Sequence, residues 1–158
     1  MLRMFKTKLK FCTLLLDVWM LTNNLTYPRT RHTASILPNG SVLVVGGVGN
    51  DSIGMTAELY DPSLNTWTCV ANMIYPRSRH TASVLPNGSV LVVGGNSNDL
   101  IAISAELYDP LSNTWTFVAN MTYPRLRHTA SVILNSSVLV VGDIADELLG
   151  MTAEQYCF

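Results

Sequence analysis

Residues 80–95 read HTASVLPNGSVLVVGG, and nearly the same letters occur at 32–47 as HTASILPNGSVLVVGG and at 128–143 as HTASVILNSSVLVVGD. The step between copies is 48 residues, and Trp19, Trp67 and Trp115 keep the same step, with no insertion between copies. A unit of this length is one supersecondary element that must stack on its neighbours to bury its apolar face. The chain is therefore a tandem repeat, and the repeat decides its architecture.

The middle copy indicates how one repeat is built. Its run 89–95 (SVLVVGG) is apolar on both faces, as in a strand that is covered on both sides. Asn87-Gly88 before it predicts a two-residue type I′ hairpin turn, so we expect 80–85 and 89–93 to pair antiparallel. Residues 105–108 and 115–119, separated by an Asp-Pro turn, give two more strands. One repeat thus contains four short strands and no predicted helix.

Repeated four-stranded antiparallel units of about 40 to 50 residues are typical of the blades of a β-propeller. The predicted fold class is all-β, an incomplete propeller of about three blades. The alternative, a sandwich-like stack of antiparallel sheets, does not explain the equal length of the copies. The predicted divisions are a non-repeat segment at 1–17, a lone fourth strand at 18–24, repeats at 25–72 and 73–120, and a truncated repeat at 121–158.

The repeat resembles the kelch motif over residues 19–158. In the middle copy the matching residues are Pro76-Arg77, His80-Thr81, Gly94-Gly95, Tyr108-Asp109-Pro110 and Asn113-Thr114-Trp115. The resemblance implies a kelch-type propeller, in which the last blade is often completed by a strand from the other terminus. Kelch propellers serve as scaffolds, substrate adaptors and the copper enzyme galactose oxidase, so the fold alone does not define a function. The predicted structural repeat residues are Gly46, Gly47, Gly94, Gly95, Tyr60, Tyr108, Trp67 and Trp115.

The third copy departs from the pattern, because Leu134, Ser136 and Asp143 stand where the middle copy has proline, glycine and glycine. Three blades are also fewer than a closed ring needs. One interpretation is a head-to-tail homodimer, in which the Trp19 strand of each chain completes the last blade of its partner in a six-bladed ring. The other is a fragment of a larger propeller, with open strand edges and no independent function.

Charge and cysteine content narrow the class of partner. The net charge is −1 and 13% of residues are charged, which gives no reason to expect a nucleic acid or a membrane as partner. Cys12, Cys69 and Cys157 lie at unrelated repeat positions, so neither a disulfide framework nor a metal site is predicted. The apolar run 11–16 is too short for a signal peptide or a membrane span. We expect no cofactor, and a cytoplasmic location slightly more than a secreted one.

Residues that recur in every copy are interpreted as structural. The histidines His32, His80 and His128 occupy one repeat position, so we expect them to be apart and to make structural hydrogen bonds. The recurring glutamates should pair with an arginine of their own or the next blade; they are Glu58, Glu106 and Glu154.

Each copy also carries an Arg-x-Arg pair before its first strand. The pairs are Arg29 with Arg31, Arg77 with Arg79, and Arg125 with Arg127. Strand direction places them on the same face as the variable loops 48–54, 96–102 and 144–150, where binding residues of a repeat scaffold usually lie. The planar guanidinium suits carboxylates, so the predicted partner is a protein or peptide, preferably acidic. Acidic residues of the same loops could instead neutralise the arginines; they are Asp51, Asp99, Asp146 and Glu147.

The sequence favours a non-catalytic interaction module that binds through this loop face. The alternative from another class is the remnant of a galactose-oxidase-like enzyme domain. Its copper site would need tyrosine and histidine ligands that converge, whereas the tyrosines and histidines here follow the repeat. We therefore assign no catalytic residue.

Overall fold

A computed structural model describes residues 19–49, 53–95, 99–133, 137–142 and 152–158, with backbone alone at 99–100. The described residues form three antiparallel sheets. Sheet 1 contains β1 (Thr33–Ile36), β2 (Val42–Val45), β3 (Ala57–Asp61) and β4 (Thr66–Val70). Sheet 2 contains β5 (Thr81–Val84), β6 (Val90–Val93), β7 (Ala105–Asp109) and β8 (Thr114–Val118). Sheet 3 contains β9 (Thr129–Val132), β10 (Val138–Val141) and β11 (Ala153–Tyr156).

Each sheet is a meander, in which strands that follow one another in the chain pair antiparallel. The register also repeats, since Val42 lies opposite Tyr60 in sheet 1 and Val90 lies opposite Tyr108 in sheet 2. The prediction of four strands per repeat is confirmed for sheets 1 and 2. Sheet 3 has three strands among the described residues, in the order β11-β10-β9.

The sheets stack face to face with sheet 2 in the middle. Val90 and Val92 pack toward sheet 1, in a cluster with Leu43 and Val45, whereas Leu91 and Val93 pack toward β10 of sheet 3. All four side chains of β6 are at most 3% exposed. The prediction of a strand covered on both faces is confirmed, and the arrangement is an open, incomplete propeller of three blades. A two-sheet sandwich is wrong, because it would leave one face of sheet 2 uncovered.

The hairpin between β5 and β6 is present, but its predicted type I′ turn is wrong. The backbone N–H of Gly88 donates to the carbonyl of Leu85 at 2.8 Å, and Gly88 alone of the turn residues has positive φ, at 88°. A type I′ turn needs positive φ at both Asn87 and Gly88, whereas Pro86, whose φ is fixed near −65°, is the first central residue of the turn that forms. The result is a three-residue loop with a type I turn and a left-handed glycine.

Two short helical turns, which were not predicted, lie between the second and third strands of sheets 1 and 2. They are a 3-10 turn at Ile53–Met55 and α1 at Asp99–Ala102. Hydroxyl groups close both turns, since Thr56 donates to the carbonyl of Ile53 at 3.0 Å and Ser104 donates to that of Ile101 at 2.7 Å. Side-chain bonds of this kind stabilise single turns without a longer helix.

The predicted fourth strand at 18–24 is not found. Residues 19–24 form no strand, and Trp19 is fully exposed. A fourth strand pairs with the third strand of its own sheet, and no described strand precedes Trp19 that it could pair with. Residue 18 and the predicted segment 1–17 lie outside the described residues.

The predicted structural tyrosines and tryptophans join neighbouring strands and neighbouring sheets. The rings of Tyr108 and Trp115 lie 4.9 Å apart across β7 and β8, and those of Tyr60 and Trp67 repeat this spacing in sheet 1. The indole N–H of Trp115 donates to the carbonyl of Ala71 at 2.8 Å, at the end of the preceding blade. In each pair the rings pack between adjacent strands of one sheet, and the indole N–H of Trp115 links its sheet to the end of the preceding blade.

Candidate functional site

Three of the six predicted binding arginines are buried inside the blades. Each forms an ion pair with the glutamate of the third strand in its own repeat: Arg29 with Glu58 at 2.8 Å, Arg77 with Glu106 at 3.0 Å and Arg125 with Glu154 at 3.0 Å. The three arginine side chains are 0% exposed. The predicted glutamate–arginine pairs are confirmed. The assignment of Arg29, Arg77 and Arg125 to partner contact is wrong, because buried guanidinium groups have no surface to offer.

Arg77 is the centre of a hydrogen-bond network at the loop-face end of sheet 2. Its Nε and Nη2 donate to Glu106 Oε1, each at 3.0 Å, and its Nη1 donates to the carbonyls of Gly94 and Ser104 at 2.8 and 2.9 Å. Burial lowers the pKa of Arg77, and the charge of Glu106 partly offsets this. The guanidinium thus gives the carbonyl of Gly94 a partner and adds a second hydrogen bond to the carbonyl of Ser104, which also accepts from the N–H of Gly94 at 2.9 Å.

Glu58 shows how the carboxylate of such a pair stays charged. Burial by itself raises the pKa of Glu58, but hydrogen bonds from Thr26, Arg29 and Tyr27 outweigh it and hold the pKa below its ordinary value. The backbone N–H of Thr26 donates to Oε2 at 2.7 Å. The glutamate therefore anchors the loop before β1 as well as the arginine.

The other three arginines form a row on the loop face, which we call the arginine row: Arg31, Arg79 and Arg127. Arg31 and Arg127 are exposed and Arg79 is half-buried. Their backbones are joined in sequence, because the N–H of Arg79 donates to the carbonyl of Arg31 at 3.1 Å and that of Arg127 to the carbonyl of Arg79 at 3.0 Å. In the described part of the chain, ion pairs involve the buried arginines and none of this row.

Each residue of the row adopts a left-handed backbone, with φ of 58°, 57° and 53°. This conformation is costly for a residue with a long side chain, at about 1 kcal/mol or more. Here it lets one arginine of each pair turn inward to its glutamate while the next points outward. No sequence signal for left-handed backbone exists at an arginine, which is why the two members of each pair were not separated. The count of charged residues could have distinguished the buried arginine from the exposed one, since each copy has two arginines but one third-strand glutamate to pair with them.

Electrostatic repulsion acts along the row. The pKa of Arg79 lies below its usual value, first because of the positive charge of Arg31 and further because of desolvation and Arg127. Like charges held side by side in this way favour an anion that bridges them.

A cleft of about 390 Å³ opens beside the row between sheets 1 and 2. Arg31 and Arg79 line it from the loops just before β1 and β5, and Val48, Ile53 and Pro76 give it an apolar wall. Its remaining surface includes backbone of the glycines Gly47, Gly49 and Gly54. The cleft can thus take a chain with a carboxylate at one point and an apolar group at another. Of the acidic residues predicted to neutralise the arginines, Asp51, Asp146 and Glu147 lie outside the described residues, as does the side chain of Asp99.

The histidines do not converge on one site. His80 Nε2 lies 2.8 Å from Thr33 Oγ1, and His128 Nε2 lies 2.8 Å from Thr81 Oγ1, so each bridges to the first strand of the preceding sheet. His32 is exposed. The predicted structural hydrogen bonds are confirmed for His80 and His128. Among the described residues, no group of three or more histidine, cysteine, aspartate or glutamate side chains is placed to hold a metal ion.

His80 should make the protein sensitive to mild acid. Burial, and then the charge of Arg77, lower the pKa of His80 to about 3. Above pH 6.5 the unfolded imidazole is also neutral and this contribution to stability is complete. As pH falls from 6.5 toward 3, His80 becomes protonated in the unfolded chain but stays neutral in the folded protein. The free energy of unfolding should therefore fall by about 1.4 kcal/mol per pH unit.

Urea unfolding followed by circular dichroism between pH 7 and pH 5 measures this slope above the range in which carboxylates titrate. His80→Gln keeps a polar atom near Thr33 and removes the titrating group, so its slope should be shallower by about one proton. Equal slopes in the two proteins would show that His80 is not the group responsible.

Comparison with known proteins agrees with this architecture. Models of the kelch motif match residues 28–73 and 76–122. The solved chain described as "Structure of YjhT" is similar, with a TM-score of 0.64 and 21% sequence identity over 77% of this chain and 36% of that one. At this identity the similarity concerns the fold, and this chain spans 36% of the length of that structure. Among curated proteins none matches the chain. In the described residues no helix has the length and apolar character needed to cross a membrane.

Proposed function

Because this chain belongs to the kelch-repeat family, we propose that it is a non-catalytic interaction module that binds an acidic segment of a protein or peptide on its loop face. The observation that carries the proposal is the arginine row, in which Arg31, Arg79 and Arg127 are joined through their backbones and lack a carboxylate among the described residues. Bridging carboxylates would relieve the repulsion along the row.

The binding site consists of the row together with the adjacent cleft. Arg31 and Arg79 line one side of the cleft, so a carboxylate placed between them would accept hydrogen bonds from both guanidinium forks. A side chain beside that carboxylate would then contact Val48 and Ile53. This combination suits an acidic segment with one apolar residue better than a small inorganic anion.

The use of the repeated polar residues supports a non-catalytic role. His80 is bound to Thr33, and the hydroxyl groups of Tyr60 and Tyr108 donate to Asn65 and Asn113 at 3.0 and 3.1 Å. Side chains that hold strands and blades together in this way do not converge as a set of catalytic groups or copper ligands.

Binding of a fluorescein-labelled oligoglutamate peptide, measured by fluorescence polarisation, tests the proposal. We expect saturable binding that weakens as salt rises, and a loss of about 10- to 100-fold in affinity for Arg79→Asn. Asparagine is chosen because it removes the charge but tolerates a left-handed backbone. Arg79→Lys, which keeps the charge without the fork, should retain part of the affinity.

Two controls define the contradicting result. Leu111→Ala, in the exposed turn between β7 and β8, changes the opposite face and should leave the affinity unchanged. An oligolysine peptide should not bind. The proposal is wrong if oligoglutamate does not bind, or if Arg79→Asn binds it as tightly as the parent protein does.

A further inference from the structure

The outer face of sheet 3 is uncovered at positions that are buried in the other two sheets. Val141 is 40% exposed, whereas the equivalent Val93 and Val45 are 3% and 0% exposed. Leu139 is half-buried, whereas Leu91 at the same position is fully buried. In sheets 1 and 2 these side chains pack against the next sheet along the chain, whereas none of the described residues covers this apolar face of sheet 3 with a further sheet.

On its opposite face, sheet 1 is not covered by any sheet of the described residues. Tyr60 is half-buried, whereas Tyr108 at the same position is 2% exposed because it packs against sheet 1. Val42 is also half-buried, whereas Val90 is fully buried against sheet 1. Sheet 1 therefore presents the face that normally receives the preceding sheet. The two open faces are the two halves of a contact that the chain already makes between its own sheets 1 and 2.

The strand edges are complementary in the same way. Among the described residues β11 has no partner on its outer edge, where β8 pairs with β7 in sheet 2. Trp19 and Leu21 are 103% and 93% exposed, and Trp19 holds the repeat position of Trp115.

The chain just after Trp19 is already placed as the end of a fourth strand. The indole N–H of Trp67 donates to the carbonyl of Asn23 at 2.9 Å, as that of Trp115 does to Ala71 at 2.8 Å. The backbone N–H of Asn23 donates to Asn65 Oδ1, which repeats the bond from Ala71 to Asn113. Asn23 is thus held against sheet 1 at the repeat position of Ala71, directly after the residues that would form the fourth strand of a preceding blade.

We propose that a second copy of this chain binds here, with the outer face of its sheet 3 against sheet 1 and with residues 19–22 paired to its β11. The register follows from the pairs Tyr60 with Trp67 and Tyr108 with Trp115, so Tyr156 of one copy lies opposite Trp19 of the other. Tyr156 now contacts Phe158, with ring centroids 4.6 Å apart, and Trp19 would supply the tryptophan that its counterparts possess.

The contact is heterologous, because the outer face of sheet 3 meets a different face on the other copy. Such contacts give a closed ring when the rotation between subunits closes, and an open fibre when it does not. Three sheets in each copy give six in a dimer, which lies in the usual range for a closed propeller. Two copies of this chain joined in this way form a head-to-tail dimer with two identical junctions.

Light scattering on the purified full chain tests the assembly. We expect twice the mass of one chain, and for Val141→Arg a dimer dissociation constant raised by about 100-fold or more, because the charge would be buried without a partner. Val141 is exposed in a single copy, so the variant should keep the circular dichroism of a folded β protein. Leu111→Arg is the matched control, since Leu111 is 95% exposed in the turn between β7 and β8 of sheet 2 and lies outside the proposed contact.

A disulfide tests the register. The variant carries Met20→Cys and Gln155→Cys, and its native Cys12, Cys69 and Cys157 are changed to serine. Positions 20 and 155 lie opposite each other in the proposed pairing. Oxidation should give a covalent dimer, whereas Met20→Cys with Val132→Cys, on the far edge of sheet 3, should not. A monomer at all concentrations, a cross-link within one chain, or an open series of higher oligomers would each overturn the closed dimer.

Discussion

Glu106→Gln should lower the free energy of unfolding by about 3–5 kcal/mol, the range expected when one partner of a buried ion pair is removed. The carboxylate is fully buried and accepts four hydrogen bonds, two from Arg77 and two from the backbone N–H groups of Ile74 and Tyr75. Glutamine has an NH2 group in place of one carboxylate oxygen, and this group would face the same N–H donors. The charge of Arg77 would also remain buried without a counter-ion. Urea unfolding at pH 7, followed by circular dichroism, measures the loss.

The repeat supplies a matched control for this experiment. Glu154→Gln makes the same change at the equivalent position in sheet 3, where the glutamate side chain is 20% exposed against 0% for Glu106. Water can solvate the exposed pair in part, so the loss should be smaller. Equal losses at the two positions, or a loss below about 1 kcal/mol for Glu106→Gln, would contradict the role of burial in this pair.

The fold could be predicted because the same pattern of apolar strands and turn residues occurs three times in the sequence. A run such as 90–93, apolar on both faces and followed by two glycines, requires a sheet with neighbours on both sides. The equal spacing of the copies then requires equal blades. The turn predicted at Asn87-Gly88 was of the wrong type, because Pro86 before this dipeptide becomes a central residue of the turn.

The candidate site could be predicted only at the level of a face of the molecule. Repetition identified the arginine pairs and the glutamates, but it could not assign one member of each pair to the interior. That assignment depends on the left-handed backbone at Arg79, which the inter-blade hydrogen bond to Arg31 stabilises. The bond exists only after the blades have stacked, so no local pattern encodes it. The cleft is likewise a product of stacking, since its walls come from different repeats.

The buried and exposed arginines depend on each other. Arg77 holds the carbonyls of Gly94 and Ser104, and its own carbonyl accepts a hydrogen bond from Gly47 of sheet 1 at 2.8 Å. The loop that carries Arg79 is therefore fixed from both sides. A rigid loop limits the conformational entropy that Arg79 would lose on binding a carboxylate. The buried Arg77 therefore favours binding by Arg79, because it holds the loop in place.

Gly94→Ala should cost roughly 2–5 kcal/mol of stability, as the sum of a strained backbone and a steric clash. Gly94 has a φ of 62°, which disfavours any residue with a Cβ atom, and the added atom would lie 2.7 Å from the carbonyl oxygen of Arg125. That oxygen belongs to the loop of the next blade, and it accepts a hydrogen bond from the N–H of Gly95 at 2.9 Å. The substitution therefore forces sheets 2 and 3 apart at the loop face.

Gly40→Ala separates the two contributions. Gly40 has a φ of 85° but no atom within 4 Å of the added Cβ, so this variant should show the backbone cost alone, about 1 kcal/mol. Urea unfolding of both variants gives the difference, which measures the clash at the junction between blades. Similar losses for Gly94→Ala and Gly40→Ala would mean that the second strand tolerates movement at its end, and that the close approach of blades at the double glycine does not hold them in register.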